Sequence, residues 1–322
     1  MHLLDPLSAG LKKDSTREGY GKALLELGEK DSRIVALTAD LAESVRLHYF
    51  AEKFPQRFFQ CGVAEQNMAV VSAGLAYAGK IPFMSSFGVF SPGRNWEQIR
   101  TALCYAEANV KVVSTHTGLT VGEDGATHQA LEDVSIMRSL PKMRVLVPCD
   151  FAQAKKAIYE AAKISGPVYV RTGREKMPVF TTESTPFELG KISLYNEGKD
   201  IAIFASGAMV HEALLAAASL EKDGISAAVL NVYDLTEIDA GTVEKFARQT
   251  GSLLTIEEHQ IKGGLGSAIS ECACETYPVP VRRLGMQMEF GQSGKGSELL
   301  AHYGLNSFGI IKATKEQLKN KK

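Results

Sequence analysis

What most constrains the fold of this chain is an alternation that runs through it twice: a short, continuous apolar run, a stretch of helical length, then another apolar run. In the first series Ile34-Val35-Ala36-Leu37, Ile81–Ser85, Val110–Thr115, Arg144–Pro148 and Val168–Arg171 read as strands. Helices are predicted over Ala64–Ala78, Asn95–Glu107 and Phe151–Ile164. An earlier helix is capped by Asp14-Ser15-Thr16 and striped by Tyr20, Ala23, Leu24 and Leu27. Runs without a polar face suit strands buried on both sides, and links of a few residues return each helix to the sheet. The expectation is an α/β chain of mostly parallel sheets with helices on both faces.

Residues 177–195 lose the periodicity and collect Pro178, Pro186 and Gly190, so they read as a linker. The alternation then restarts, with strands at Ile201–Ala205, Ala227–Val232, Leu253–Ile256 and Val279–Leu284. Helices fall at Val210–Lys222, Ala240–Gln249 and Gly266–Thr276. At 322 residues the chain exceeds one small core. Two domains are predicted, residues 1–188 and 189–322, the first opening on a loosely packed arm, residues 1–13.

Composition removes several function classes. A net charge of -1 offers no basic surface for nucleic acid, and Lys319–Lys322 reads as a short solvated end. No apolar run approaches the roughly 20 residues of a membrane span, and the N-terminus has no signal-peptide core. The five cysteines contain no CxxC pair, Cys272 and Cys274 match no zinc pattern, and their odd number argues against a disulfide framework, which fits a reduced, cytoplasmic setting.

Candidate chemistry gathers where the first series of strands ends. In Phe58-Phe59-Gln60-Cys61-Gly62-Val63-Ala64-Glu65-Gln66-Asn67-Met68 a strand turns into a helix at Gly62, which puts Glu65 in the first helical turn among apolar neighbours. A helix N-terminus favours such a charge; a dry carboxylate also needs a partner. The loop from Thr115 to Gln129 carries His116, Glu123, Asp124 and His128 with glycines between them, a set suited to hydrogen-bonding vicinal hydroxyls and shuttling protons, or simply a solvated loop. Phe87 and Phe90, three apart beside Gly88 and Gly93, suit either core or a stacking wall for a flat heterocycle. Asp40 and Ser44 follow a strand end, where ligands bind in α/β sheets. Gly263-Gly264-Leu265-Gly266 lacks the third glycine of a dinucleotide fingerprint and reads as a helix entry, and Asp234 and Glu237 read as loop acids.

Taken together, Gly62-Val63-Ala64-Glu65-Gln66-Asn67-Met68, Ser85-Ser86-Phe87-Gly88-Val89-Phe90 and the run from Thr115 to Asp133 resemble the transketolase family of thiamine-diphosphate enzymes. The resemblance covers essentially the whole chain but only the second part of a full-length transketolase, the pyrimidine-binding and C-terminal domains, as in the C-terminal subunit of a split transketolase. It implies that Glu65 hydrogen-bonds a ring nitrogen of the cofactor's aminopyrimidine, favouring the tautomer that removes the thiazolium proton. It implies that Phe87 and Phe90, with Asp40 nearby, hold the cofactor. His116, Asp124 and His128 match substrate-contacting positions, with His116 and His128 also in catalytic roles. Arg17, Ser44 and Arg171 match residues that hold a sugar phosphate. A third stacking aromatic of the family is replaced by Gly93.

The family's Gly-Asp-Gly segment with its following Asn, which holds Mg²⁺ (or Ca²⁺) and the diphosphate, is absent from the sequence. The resemblance therefore implies a separate N-terminal subunit that supplies the metal site, and a heterotetramer of two copies of each chain. The implied activity is transfer of a two-carbon ketol unit between phosphorylated sugars. The alternatives are half of a deoxyxylulose-phosphate synthase, the β subunit of a 2-oxoacid dehydrogenase, and a non-catalytic scaffold; the C-terminal domain offers no candidate catalytic residue and is expected to form interfaces.

Overall fold

The computed structural model describes residues 3–319. The first two residues of the arm, and residues 320–322 of the basic end, lie outside the described residues. Six parallel strands form the first sheet, in the order Phe58–Gln60, Ile34–Thr38, Ile81–Phe87, Lys111–Thr115, Val168–Arg171, Arg144–Leu146. The four central strands are buried along their whole length, so their apolar residues face both sides of the sheet rather than alternating with exposed polar ones. Their alternate residues feed two layers. Ile34, Ala36, Phe83 and Val113 join Tyr20, Ala23 and Leu24 of helix Thr16–Lys30 on one face. Val35, Leu37, Met84 and Val112 join Met68 of helix Glu65–Tyr77 and Leu103 on the other. Helix Thr16–Lys30 starts as expected, with the Ser15 hydroxyl accepting the Glu18 N–H at 3.3 Å. The predicted helix 95–107 is a short turn, Trp96–Gln98, continued by a π-helical stretch, Ile99–Tyr105.

The second sheet has five strands, in the order Val281–Met286, Leu253–Gln260, Ile201–Ala205, Ala227–Asn231, Ser193–Asn196. All neighbours are parallel except the last pair. The antiparallel edge strand Ser193–Asn196 corrects the linker reading of those residues; four residues are too few to show a period. Strand Leu253–Gln260 runs four residues beyond the predicted end, so Glu257, Glu258 and His259 belong to it. The Gly263–Gly266 turn does follow a strand, but the Glu257 carboxylate already accepts the Leu265 and Gly266 N–H groups, at 2.7 and 2.8 Å. The helix N-terminus that a dinucleotide phosphate would use is filled by the protein itself.

The domains are stitched together next to the first sheet's edge. Leu146 forms a β-bridge to Asp234, and Arg144 binds Asp234 at 2.9 Å and Glu237 at 2.8 Å. Both acids are therefore interdomain clasps, not free loop charges. The arm is not loose either. Lys13–Asp14 pairs antiparallel with Met177–Pro178, Leu4 N–H donates to the Phe180 carbonyl at 2.9 Å, and Leu3 and Leu11 pack on the second core. Asp150 fixes that crossing: it caps helix Phe151–Lys163 through the Gln153 N–H and accepts the Phe180 and Thr181 N–H groups at 2.9 and 2.7 Å. Among the described residues no helix is long and apolar enough to cross a membrane.

Candidate active site

The carboxyl ends of the first sheet's strands carry the site, as expected for an open parallel sheet. Gly62, at φ 68°, turns the chain out of strand Phe58–Gln60 into helix Glu65–Tyr77, whose first residue is Glu65. Only 2% of Glu65 is exposed. The partner that so dry a carboxylate requires is Arg94, from the loop after strand Ile81–Phe87, whose Nη1 donates to Glu65 Oε2 at 2.7 Å. Asn95 Nδ2 donates to the Glu65 backbone carbonyl at 3.0 Å and fixes the helix start to the same loop. The Arg94 guanidinium also lies over the Phe90 ring, 4.8 Å from its centroid.

Phe87 and Phe90 stack with centroids 5.9 Å apart and ring planes 17° from parallel. His116 lies on Phe87 at 3.7 Å, while His128 meets Phe90 edge-on at 5.7 Å. Both histidines of the glycine-punctuated loop are thus gathered on one aromatic pair. His116 sits just past strand Lys111–Thr115 with φ 53°, a left-handed turn that throws its ring back over the sheet. Burial, and then Arg17, Arg174, His128 and Arg46, push the His116 pKa down to about 3, so the ring is neutral at physiological pH. Arg17 Nη1 approaches His116 Nε2 at 3.4 Å, and Thr115 Oγ1 lies 2.8 Å from Nδ1. A guanidinium only donates, so Nε2 accepts, and Nδ1 carries the proton toward Thr115.

The basic end of the site differs from the sequence reading. Arg17 Nη1 donates to the Ser44 backbone carbonyl at 2.8 Å, which joins these two residues as expected. Burial, then Arg46 and Arg174, lower the Arg17 pKa to about 10. Arg171, read as the second phosphate contact, is buried and committed elsewhere. Its Nε donates to Asp133 at 2.8 Å and its Nη2 to the Glu258 carbonyl at 2.9 Å. Three residues on, Arg174 stands beside the open cleft, with Nη1 3.3 Å from Asp124 and donating to the Val121 carbonyl at 2.8 Å. Arg174 was missed because Arg171-Thr172-Gly173-Arg174 offers two arginines, and the sequence does not say where the strand stops. Arg17 and Arg174 line an interdomain cleft of about 670 Å³ that His211 and Lys295 of the second domain complete. Asp40 is exposed with φ 62°, its N–H held by Gln60 at 2.6 Å. Among the described residues no hydrogen bond or ring contact ties it to Glu65, Phe87 or Phe90.

The second domain also holds the loop between the two histidines. The Glu258 carboxylate accepts the Thr120 N–H, and Gly118, at φ 81°, lies so close that an added Cβ would meet that carboxylate at 2.4 Å. Gln129 Nε2 donates to the Gln292 carbonyl at 3.0 Å and the Leu119 carbonyl at 3.2 Å. Sequence reasoning gave a role to neither Glu258 nor Arg94; both act through contacts with chain far away.

Comparison with known proteins agrees with this geometry. The family described as "Transketolase, pyrimidine binding domain" matches residues 12–179, and "Transketolase, C-terminal domain" matches residues 190–310. A Methanocaldococcus jannaschii protein named "Putative transketolase C-terminal section" is 44% identical over 306 residues, 94% of this chain and 96% of that protein. A subunit of a 6-deoxy-6-sulfo-D-fructose transketolase from Clostridium sp. (strain MSTE9) is 42% identical over 316 residues, 98% of each. A solved structure described as a split-gene transketolase, inactive beta4 tetramer, superposes with a TM-score of 0.89 at 46% identity, covering 96% of this chain and 99% of that one.

Proposed function

Because this chain belongs to the transketolase family through both of its domains, we propose that it is the C-terminal subunit of a split, thiamine-diphosphate-dependent enzyme. Together with a separate N-terminal subunit it moves a two-carbon ketol unit from a ketose phosphate, or a close anionic analogue, to an aldose phosphate. The observation that carries this reading is the Glu65 carboxylate, 2% exposed and joined through Arg94 to the stacked pair Phe87 and Phe90. The residues fit the cofactor's pyrimidine. A flat, cationic N–H donor already lies over Phe90 and donates to Glu65, and it is the Arg94 guanidinium.

Glu65, Phe87 and Phe90 would hold the pyrimidine, while Mg²⁺ and the diphosphate belong to the partner subunit. When bound, the cofactor supplies the electron sink for breaking and forming the carbon–carbon bond. Glu65 holds a proton at a ring nitrogen in a dry setting, where it is not lost to water. His116, kept neutral, accepts a hydrogen bond or a proton at Nε2 from a substrate hydroxyl, and His128 serves beside it. Asp124 reads a hydroxyl nearer the cleft. Arg17 and Arg174, in place of the Arg171 of the sequence reading, take the terminal anion. A sulfonate would suit the same two guanidiniums, and the Clostridium relative is named for a sulfonated sugar. Two cations at the far end of the site favour a sugar phosphate over the short acids of a 2-oxoacid dehydrogenase. The natural symmetric assembly is two copies of each chain.

The test is ketol transfer from xylulose 5-phosphate to ribose 5-phosphate with thiamine diphosphate and Mg²⁺, first with this chain alone and then with a partner subunit carrying the missing half. Turnover only in the mixture supports the split enzyme. Turnover by this chain alone removes the need for a partner. Cofactor binding without turnover in the mixture retains the site and rejects these sugars. A Glu65→Gln variant that turns over normally in the mixture would reject the role of Glu65.

A further inference from the structure

In an unloaded site a carboxylate as dry as Glu65 must either pick up a proton or find a cation. Its cation here is Arg94, on the neighbouring loop, paired at 2.7 Å. The two partners are unequally placed: the Arg94 side chain is 47% exposed and that of Glu65 2%. The guanidinium can therefore swing into solvent once another donor reaches the carboxylate, while the carboxylate cannot follow. The guanidinium also occupies the space over Phe90, 4.8 Å from its ring centroid. A planar donor stacked on that ring and bonded to that carboxylate has the contact set expected of the cofactor's aminopyrimidine.

We propose that Arg94 is a built-in occupant of the pyrimidine site, which neutralises Glu65 in the empty subunit and is displaced toward solvent when the cofactor enters. The inference rests on the reading of Glu65, Phe87 and Phe90 as the pyrimidine-holding residues. Both ligands compete for one carboxylate and one ring face, so each molecule of cofactor bound must break the Arg94–Glu65 contact. Arg94 therefore lowers cofactor affinity while protecting the empty site from a buried, unpaired charge. A charge-assisted hydrogen bond lost on exchange corresponds to roughly a factor of ten or more in an equilibrium constant.

The test is calorimetric titration of thiamine diphosphate, with Mg²⁺ in excess, into the assembled complex of this chain with its partner subunit. Wild type, Arg94→Lys, Arg94→Met, Glu65→Gln and the double variant Glu65→Gln/Arg94→Met are compared. Arg94→Met is expected to bind about tenfold tighter than wild type, and Arg94→Lys, which keeps a competing cation, close to wild type. A variant that had merely damaged the fold would lose affinity. On the Glu65→Gln background the gain should shrink several-fold, because only the ring face remains to compete for. Unchanged or weaker binding by Arg94→Met, or a gain undiminished without Glu65, overturns the displacement while leaving the pyrimidine site intact. If the wild-type complex binds no thiamine diphosphate at all, the site reading and this inference fall together.

Discussion

Arg171 and Arg174 should behave in opposite ways when each is replaced by methionine. Arg171→Met leaves the Asp133 carboxylate, with its side chain 1% exposed, without its cation and with only the Tyr169 hydroxyl at 2.6 Å. Breaking a buried pair from one side costs about 3–5 kcal/mol, because a charge is left behind in a dry place. The same substitution strips the Glu258 and Ala130 carbonyls of a donor. Arg174 is 35% exposed and its ion partner Asp124 37%. Such a pair is worth about 0–1 kcal/mol, so Arg174→Met should leave stability nearly unchanged. A lost charge-assisted contact to a phosphate, at roughly 1.5–3 kcal/mol, would instead raise KM by about ten- to a hundredfold. Urea denaturation of the chain gives the first quantity. Ketol-transfer kinetics of the assembled enzyme, with phosphorylated and unphosphorylated acceptors, give the second. The increase in KM should be confined to the phosphorylated acceptor. A stable Arg171→Met variant with a high KM, beside a silent Arg174→Met, would refute the reassignment.

Two further outcomes follow from the same site. His116 has a folded pKa of about 3, below the unfolded value of 6.5, so the unfolded chain takes up the extra proton first and stability is lost as pH falls from 6.5 toward 3. In wild type the urea midpoint should therefore fall between pH 6.5 and 5 more steeply than in His116→Asn, by an amount equivalent to about 1.4 kcal/mol per pH unit at most; parallel profiles would contradict the buried, neutral ring. Gly118→Ala forces a side chain into a φ of 81° and against the Glu258 carboxylate, and should lower stability by about 1–3 kcal/mol and slow turnover together. Normal stability and turnover in that variant would show that the second domain does not hold the loop.

The parts legible in the sequence were those set by near neighbours. Continuous apolar runs gave the strands, and Ser15 and Gly62 marked a helix start and a turn through chemistry within three residues of themselves. Glu65 and the loop from Thr115 to Gln129 stood out because their residue types and order are unusual together. The edge strand Ser193–Asn196 and the docked arm escaped because each is short and owes its conformation to pairing with distant chain.

By itself, then, the sequence determined a doubly repeated α/β alternation, the position of Glu65 at a helix start, and the family to which the motifs point. Tertiary structure decided which cation Glu65 keeps, 29 residues away, and which strand of the second domain braces the histidine loop, 138 residues from Thr120. It also set the surroundings of Arg171 and Arg174 apart, since the end of one strand determines which guanidinium is buried in protein and which lines the cleft. The physical reason is common to all three. The free energy of a charged side chain depends on the groups and solvent around it, and those are fixed only when separate stretches of chain have packed.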